Sequence, residues 1–116
     1  MANYVEVARV AEFSDGTKKK LTAQGHEILL ARVDNNYYAV NNRCPHLGGD
    51  LSAGTLEGAI ITCPRHKSQF DISNGNVIRW LKGSGLISGV VKAVKSSQPL
   101  QTYPVRVNEG VISIEI

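Results

Sequence analysis

Both cysteines of this chain and two of its three histidines fall in two short segments. The first is Cys44-Pro45-His46-Leu47-Gly48-Gly49. The second, Cys63-Pro64-Arg65-His66, starts after the sixteen residues that follow His46. Each segment offers one thiol and one imidazole, and no third cysteine exists. Two thiolates and two imidazoles can hold a tetrahedral zinc ion or an iron-sulfur cluster. Structural zinc usually draws two sulfurs from a single Cys-x-x-Cys knuckle, whereas here each segment gives one sulfur and one nitrogen. That division suits two metals side by side. A [2Fe-2S] centre with two cysteines on one iron and two histidines on the other requires one ligand of each kind from each loop, and this pattern supplies them. A disulfide between Cys44 and Cys63 is the alternative use of the thiols, but a histidine two or three residues after each cysteine fits metal ligation better.

Such ligands need loops at the ends of strands, and the chain supplies them. Asn3 to Val10 is strand-like, with Tyr4, Glu6, Ala8 and Val10 on one face and Val5, Val7 and Arg9 on the other, though without clean amphipathicity. Ser14-Asp15-Gly16 is a turn, and Lys18-Lys19-Lys20 reads as a charge run guarding an edge strand. Ala23-Gln24-Gly25 turns the chain into His26–Val33, whose apolar run Ile28-Leu29-Leu30-Ala31 has the length of a buried strand. His26 stands alone at that turn and carries no ligand role. Asp34-Asn35-Asn36 leads into the strand Tyr37–Val40, which passes through Asn41-Asn42-Arg43 into the first motif.

Gly54 and Gly58 bracket Thr55-Leu56-Glu57, and a short buried strand, Ala59–Thr62, delivers Cys63 to the second loop. Phe70-Asp71-Ile72, the turn Ser73-Asn74-Gly75-Asn76 and Val77-Ile78 form a hairpin, because Asn-Gly supplies the positive φ of a tight turn. Arg79 to Ser97 is the least strand-like stretch, with room for one or two helical turns. Thr102 to Val107, the turn Asn108-Glu109-Gly110 and Val111 to Ile116 close the chain as a hairpin, with Pro104 at an edge or a bulge. Together these predict an all-β fold, a small antiparallel β-sandwich or barrel. It forms one domain over residues 1–116, with the cluster-binding loops at about 42–72.

At 116 residues the chain can bury a single core without disulfides. No charged start with an apolar h-region is present, and no apolar segment approaches the roughly 20 residues that span a bilayer, so the expectation is a cytoplasmic protein outside the membrane. A net charge of +3 does not choose a partner by itself. Its placement says more: Arg65, Lys67, Arg79, Lys82, Lys92, Lys95 and Arg106 face only Asp71 between positions 65 and 106. These cations are scattered and not interleaved with stacking aromatics. They exclude nucleic acid as the expected partner and fit a docking face for an acidic protein.

Over nearly its whole length the chain resembles the soluble Rieske-type ferredoxins, the small electron carriers of multicomponent oxygenases. The resemblance rests on Cys44, His46, Cys63 and His66 and on the Leu47-Gly48-Gly49 tail. It extends through Leu56-Glu57-Gly58, Phe70-Asp71 and the Pro99-Leu100 and Tyr103-Pro104-Val105 segments. It implies one Rieske [2Fe-2S] cluster per chain, with Cys44 and Cys63 on the inner iron and His46 and His66 on the outer iron. It implies a monomer that takes single electrons from a flavoprotein reductase, passes them to a terminal oxygenase and has no catalytic residues of its own. A self-contained oxygenase would need a much longer catalytic domain. A zinc-stabilised, non-redox interaction domain is the alternative reading.

Departures from the family pattern carry expectations too. High-potential Rieske proteins carry an extra cysteine in each loop, paired as a disulfide, and here Gly49 and Arg65 hold those positions. They also use a serine and a tyrosine as donors to sulfur; Ser68 matches the serine while Phe70 replaces the tyrosine. Losing one donor lowers the potential, and cations such as Lys67 and Arg65 raise it, which places the expected value in the lower part of the range of about −150 to +300 mV. Ionisation of imidazoles on iron makes the expected potential fall as pH rises. Lys67 stands where the family commonly has glycine, and Pro99 belongs to a segment expected near the cluster.

Overall fold

The apolar run of residues 28–31 explains the layering of the molecule. In a computed structural model, which describes residues 4–44, 49–64, 67–79 and 99–116, this run lies in β3, His26–Val33. Its alternate side chains serve two different cores. Ile28 and Leu30 pack with Ala39, Tyr103, Ile112 and Ile114 on one side. Leu29 and Ala31 pack with Val40, Leu51, Ile61, Phe70, Ile72, Leu100 and the two cysteines on the other. A strand covered on both faces has no polar face to alternate with, hence the unbroken apolar run.

The described residues form three antiparallel sheets. The middle sheet has the order β2-β3-β4-β9, with β2 at Lys18–Ala23, β4 at Asn36–Asn41 and β9 at Thr102–Tyr103. A second sheet, β1-β11-β10, combines Tyr4–Arg9, Val111–Glu115 and Val105–Asn108. The third, β5-β6-β7-β8, is built from Thr55–Glu57, Ile60–Thr62, Gln69–Asp71 and Val77–Arg79. Sheet packed on sheet gives the all-β sandwich expected from the sequence; the first cysteine loop leaves the middle sheet after β4, and the second joins β6 to β7 of the third sheet.

Several local readings shift. The weak alternation of β1 has a cause: its register against β11 slips between Glu6 and Ala8, and the bulge lets Val7 and Ala8 both pack towards the core. Asn36 belongs to β4 and not to the preceding turn, because Asp34 at φ 58° allows a two-residue connection. Ala59 and Ile72 lie in turns beside their strands, and Arg79 ends β8; the rest of the expected helical stretch, 80–97, lies outside the described residues. Pro104 separates β9 of the middle sheet from β10 of the second, so the residue without an N–H sits where the chain changes sheets. Two short 3-10 turns, Val10–Glu12 and Leu51–Ala53, were not signalled by the sequence pattern.

Lys18–Lys20 lie on β2, an edge of the middle sheet as expected. Their ammonium groups do more than repel other chains. Lys19 pairs with Glu12 at 3.3 Å and stands over the Phe13 ring. Lys18 and Lys20 reach the exit of the first motif.

Candidate metal centre

The two loops hold their cysteines in the same wall. Cys44 and Cys63 are each 2% exposed; neither is in a disulfide, and both lie in the core shared by the middle and third sheets. The expected disulfide alternative is therefore not formed. Leu51, Ile61, Phe70, Ile72 and Leu100 make up the apolar surroundings, which exclude water from the sulfur side of the site.

The first loop leaves β4 through Asn42 and Arg43 and returns at Asp50. Inside it, the Cys44 N–H donates to the Gly49 carbonyl at 2.8 Å. Arg43 and Asp50 form an isolated antiparallel bridge. At its base, the Leu51 N–H donates to the Asn42 carbonyl at 2.9 Å, and the Asn42 N–H donates to the Glu27 carbonyl of β3 at 3.0 Å. The fully buried Asn42 carboxamide adds two more bonds: Nδ2 donates to Asp50 Oδ1 at 2.7 Å, and Oδ1 accepts from the Ser52 N–H at 2.9 Å.

Asp50 caps the 3-10 turn by accepting from the Ser52 N–H at 3.1 Å and the Ser52 hydroxyl at 2.5 Å. The Ser52 hydroxyl, then the Asn42 carboxamide, lower its pKa from 3.8 to about 2, because they stabilise the carboxylate, and Lys20 at 3.5 Å adds to this. Lys18 Nζ donates to the Ser52 carbonyl at 2.6 Å.

The second loop is closed by main chain. It opens from β6, where the Cys63 N–H donates to the Ser68 carbonyl at 2.8 Å and the Lys67 N–H donates to the Cys63 carbonyl at 3.0 Å. Gln69 Nε2 donates to Thr62 Oγ1 at 3.1 Å across the neck. Lys67 is exposed and takes φ 63°, the left-handed region in which a side chain costs about 1–2 kcal/mol relative to glycine. This backbone conformation is a physical reason for the glycine that the family pattern favours there.

Among the other expected neighbours of the site, Ser68 and Phe70 are fully buried. Pro99 is exposed, next to the buried Leu100, whose N–H donates to the Gly75 carbonyl at 2.8 Å and so brings this segment against the β7–β8 turn. Gly75, at φ 80°, is the Asn-Gly position expected, and a Cβ there would also collide with the Leu100 carbonyl. Of the cations read as one basic stretch, Arg106 lies on β10 with its guanidinium 3.9 Å from the centre of the Tyr4 ring, in a different sheet from the cysteine loops. Lys67 is the cation of that stretch whose described position is in a loop of the site.

Among the described residues no three His, Cys, Asp or Glu gather as a metal site; His46 and His66 lie outside those residues. The donor set nonetheless fits a two-iron cluster. Two sulfurs outside any disulfide follow two strands in one dry wall, and each thiol precedes an imidazole by two or three residues in the sequence. The sequence pattern did not single out Asn42, Asp50, Ser52 or the two lysines as parts of the site. Their signal was an amide immediately before the first motif and Asp-x-Ser immediately after it.

Comparisons with known proteins agree with this architecture. The chain is 26% identical over 113 residues to the ferredoxin component of the naphthalene 1,2-dioxygenase system of Pseudomonas putida, covering 97% of this chain and 95% of that one. It is 31% identical over 111 residues to the 3-phenylpropionate/cinnamic acid dioxygenase ferredoxin subunit of Photorhabdus laumondii, covering 95% and 91%. It superposes on a chain of a solved complex of reduced oxygenase and oxidized ferredoxin in carbazole 1,9a-dioxygenase, with TM-score 0.77, 26% identity and coverage of 97% and 92%. None of these supports the zinc-stabilised alternative. Residues 3–104 match the family model described as the Rieske [2Fe-2S] domain, and the chain belongs to that family.

Proposed function

We propose that this protein is the ferredoxin component of a multicomponent oxygenase system, carrying one electron at a time from a flavoprotein reductase to a terminal oxygenase. The observation that carries the reading is the pairing of two buried, unbridged thiols, Cys44 and Cys63, in two loops of a chain whose residues 3–104 match the Rieske domain. Relatives aligned over more than nine-tenths of both chains are named as ferredoxin components of dioxygenase systems, and one structural relative comes from a complex of oxygenase with ferredoxin. The protein is an electron-transfer component and does not itself transform the substrate.

In this reading Cys44 and Cys63 hold one iron and His46 and His66 the other. The cluster supplies a one-electron couple. The chain supplies the rest: an apolar wall that keeps water from the sulfurs, two loops that carry the ligands, and the buried Ser68, to which the resemblance gives the role of donor towards sulfur. Phe70 brings no hydroxyl to that wall. The potential therefore lies in the lower part of the range of about −150 to +300 mV.

Lys67 presents a cation at the second loop for an acidic partner, so raising salt slows transfer. The protein acts as a monomer of one domain, in the cytoplasm, where thiols stay reduced. No helix among the described residues is long and apolar enough to cross a membrane. An anaerobic reductive titration tests the reading. It predicts a coloured protein that takes up one electron per chain and is reoxidised by a terminal oxygenase component. A colourless, zinc-containing protein contradicts it.

A further inference from the structure

The first loop closes on side chains whose arrangement has more specificity than loop closure alone needs. Asn42 is one of two fully buried polar side chains among the described residues, and it is bonded at both ends of its amide and at both backbone groups. Its partners, Asp50 and Ser52, stand on the far side of the loop that contains Cys44 and His46. Asp50 Oδ1 collects the Asn42 amide, the Ser52 N–H and the Ser52 hydroxyl. From outside, Lys20 faces Asp50 Oδ2 and Lys18 holds the Ser52 carbonyl. Directly behind, Leu51 is fully buried in the core that contains both cysteines. The network thus joins the two ends of the loop to each other, to β2 and β3, and to the sulfur wall.

We propose that Asn42 and Asp50 are positioning residues for the metal centre: the clamp they form fixes where Cys44 stands at the entry of the first loop, and so sets how long the cluster is retained and how uniform its environment is. The proposal rests on the ligand assignment given above. Its physical basis is that a metal ligand is only as well placed as the hydrogen bonds that orient its backbone, and loss of such supports commonly costs about 10–100-fold in affinity. Removing the Asn42 amide leaves the buried Asn42 region without donor and acceptor and frees Asp50 and Ser52 to turn to water. The neck residues Asn42, Asp50 and Ser52 then lose the bonds that hold them to one another.

The test uses the purified holoprotein and three variants, Asn42→Leu, Asp50→Ala and Asp50→Asn, with Asn108→Ala, exposed on β10 of a sheet that carries neither loop, as the control. The readouts are iron release to a chelator and the line shape of the electron paramagnetic resonance signal after reduction. Asn42→Leu and Asp50→Ala are expected to shorten the iron-release half-time at least about tenfold and to broaden the signal. Asp50→Asn keeps an oxygen that can accept the same bonds and is expected to stay within about threefold of the wild type, as is Asn108→Ala.

If Asn42→Leu does not fold, the more exposed Asp50 pair decides the question. Unchanged release and line shape in Asp50→Ala, or equal damage from Asp50→Asn, overturns the clamp. A wild-type protein without a mixed-ligand signal overturns the ligand assignment itself and the clamp with it.

Discussion

The two cysteine loops each bring one thiol and one imidazole to the chain, yet differ in construction. The first is bound at its neck by a buried amide, a carboxylate and a hydroxyl, tied to the middle sheet by lysines of β2. The second is a tight return closed by main-chain bonds between Cys63, Lys67 and Ser68, and among its described residues Lys67 takes a left-handed conformation. The difference follows from where each loop starts. The second connects adjacent strands of one sheet, β6 and β7, whose ladder already holds its ends together. The first leaves the middle sheet and returns towards the third, so its main chain is closed only by the isolated bridge between Arg43 and Asp50, and side chains reinforce that single rung.

If ligation is shared equally, the two loops are equivalent in one respect only. Cys44→Ala and Cys63→Ala should each abolish iron binding and visible colour, which iron analysis measures; retention of a full cluster in either variant would break the equivalence. The next effect joins the two necks. Gly54, which follows the 3-10 turn of the first loop, lies so close to Thr62, at the entry of the second, that a Cβ would collide with the Thr62 carbonyl. Gly54→Ala should destabilise the fold by about 2 kcal/mol through overpacking, read as a lower denaturant midpoint.

A change confined to the second loop should act in the opposite direction. Lys67→Gly removes the left-handed strain and should stabilise the protein by about 0.5–1 kcal/mol, after the added entropy of glycine in the unfolded chain. Its effect on the salt dependence of electron transfer separates strain from charge. Lower stability in this variant would contradict the reading of the second neck.

The smallest effect belongs to the first neck. The Asp50 carboxyl has a pKa of about 2 in the fold against an ordinary 3.8, so its contribution is present above that ordinary value and is lost as pH falls through the folded one. Because the group is half-exposed, solvent screening keeps this contribution below about 1 kcal/mol. The difference in unfolding temperature between wild type and Asp50→Asn should shrink as pH falls from about 4 to about 2.

Much of this was legible in the sequence because it depends on local pattern. The four ligand candidates, the Gly75 turn and the doubly buried run at residues 28–31 all announce themselves through residue type and spacing. The clamp did not, because Asn42 meets Asp50 and Ser52 only after the loop has folded back, and Asn, Asp and Ser at loop ends usually read as turn formers. The bulge of β1 was visible only as an irregularity in alternation. Lys67 was singled out as unusual against the family pattern, but the reason, its positive φ, lies in the backbone. The lysines of β2 looked like edge protection, and their further contacts depended on which loop lies beside that edge.

The central claim is that two sulfurs and two imidazole nitrogens share one two-iron cluster. Electron paramagnetic resonance of the dithionite-reduced protein, prepared with and without nitrogen-15 histidine, tests it directly. The account predicts the signal of a mixed histidine–cysteine [2Fe-2S] centre with couplings from two histidine nitrogens. An all-sulfur signal, or silence after iron content and reduction have been confirmed, would contradict it.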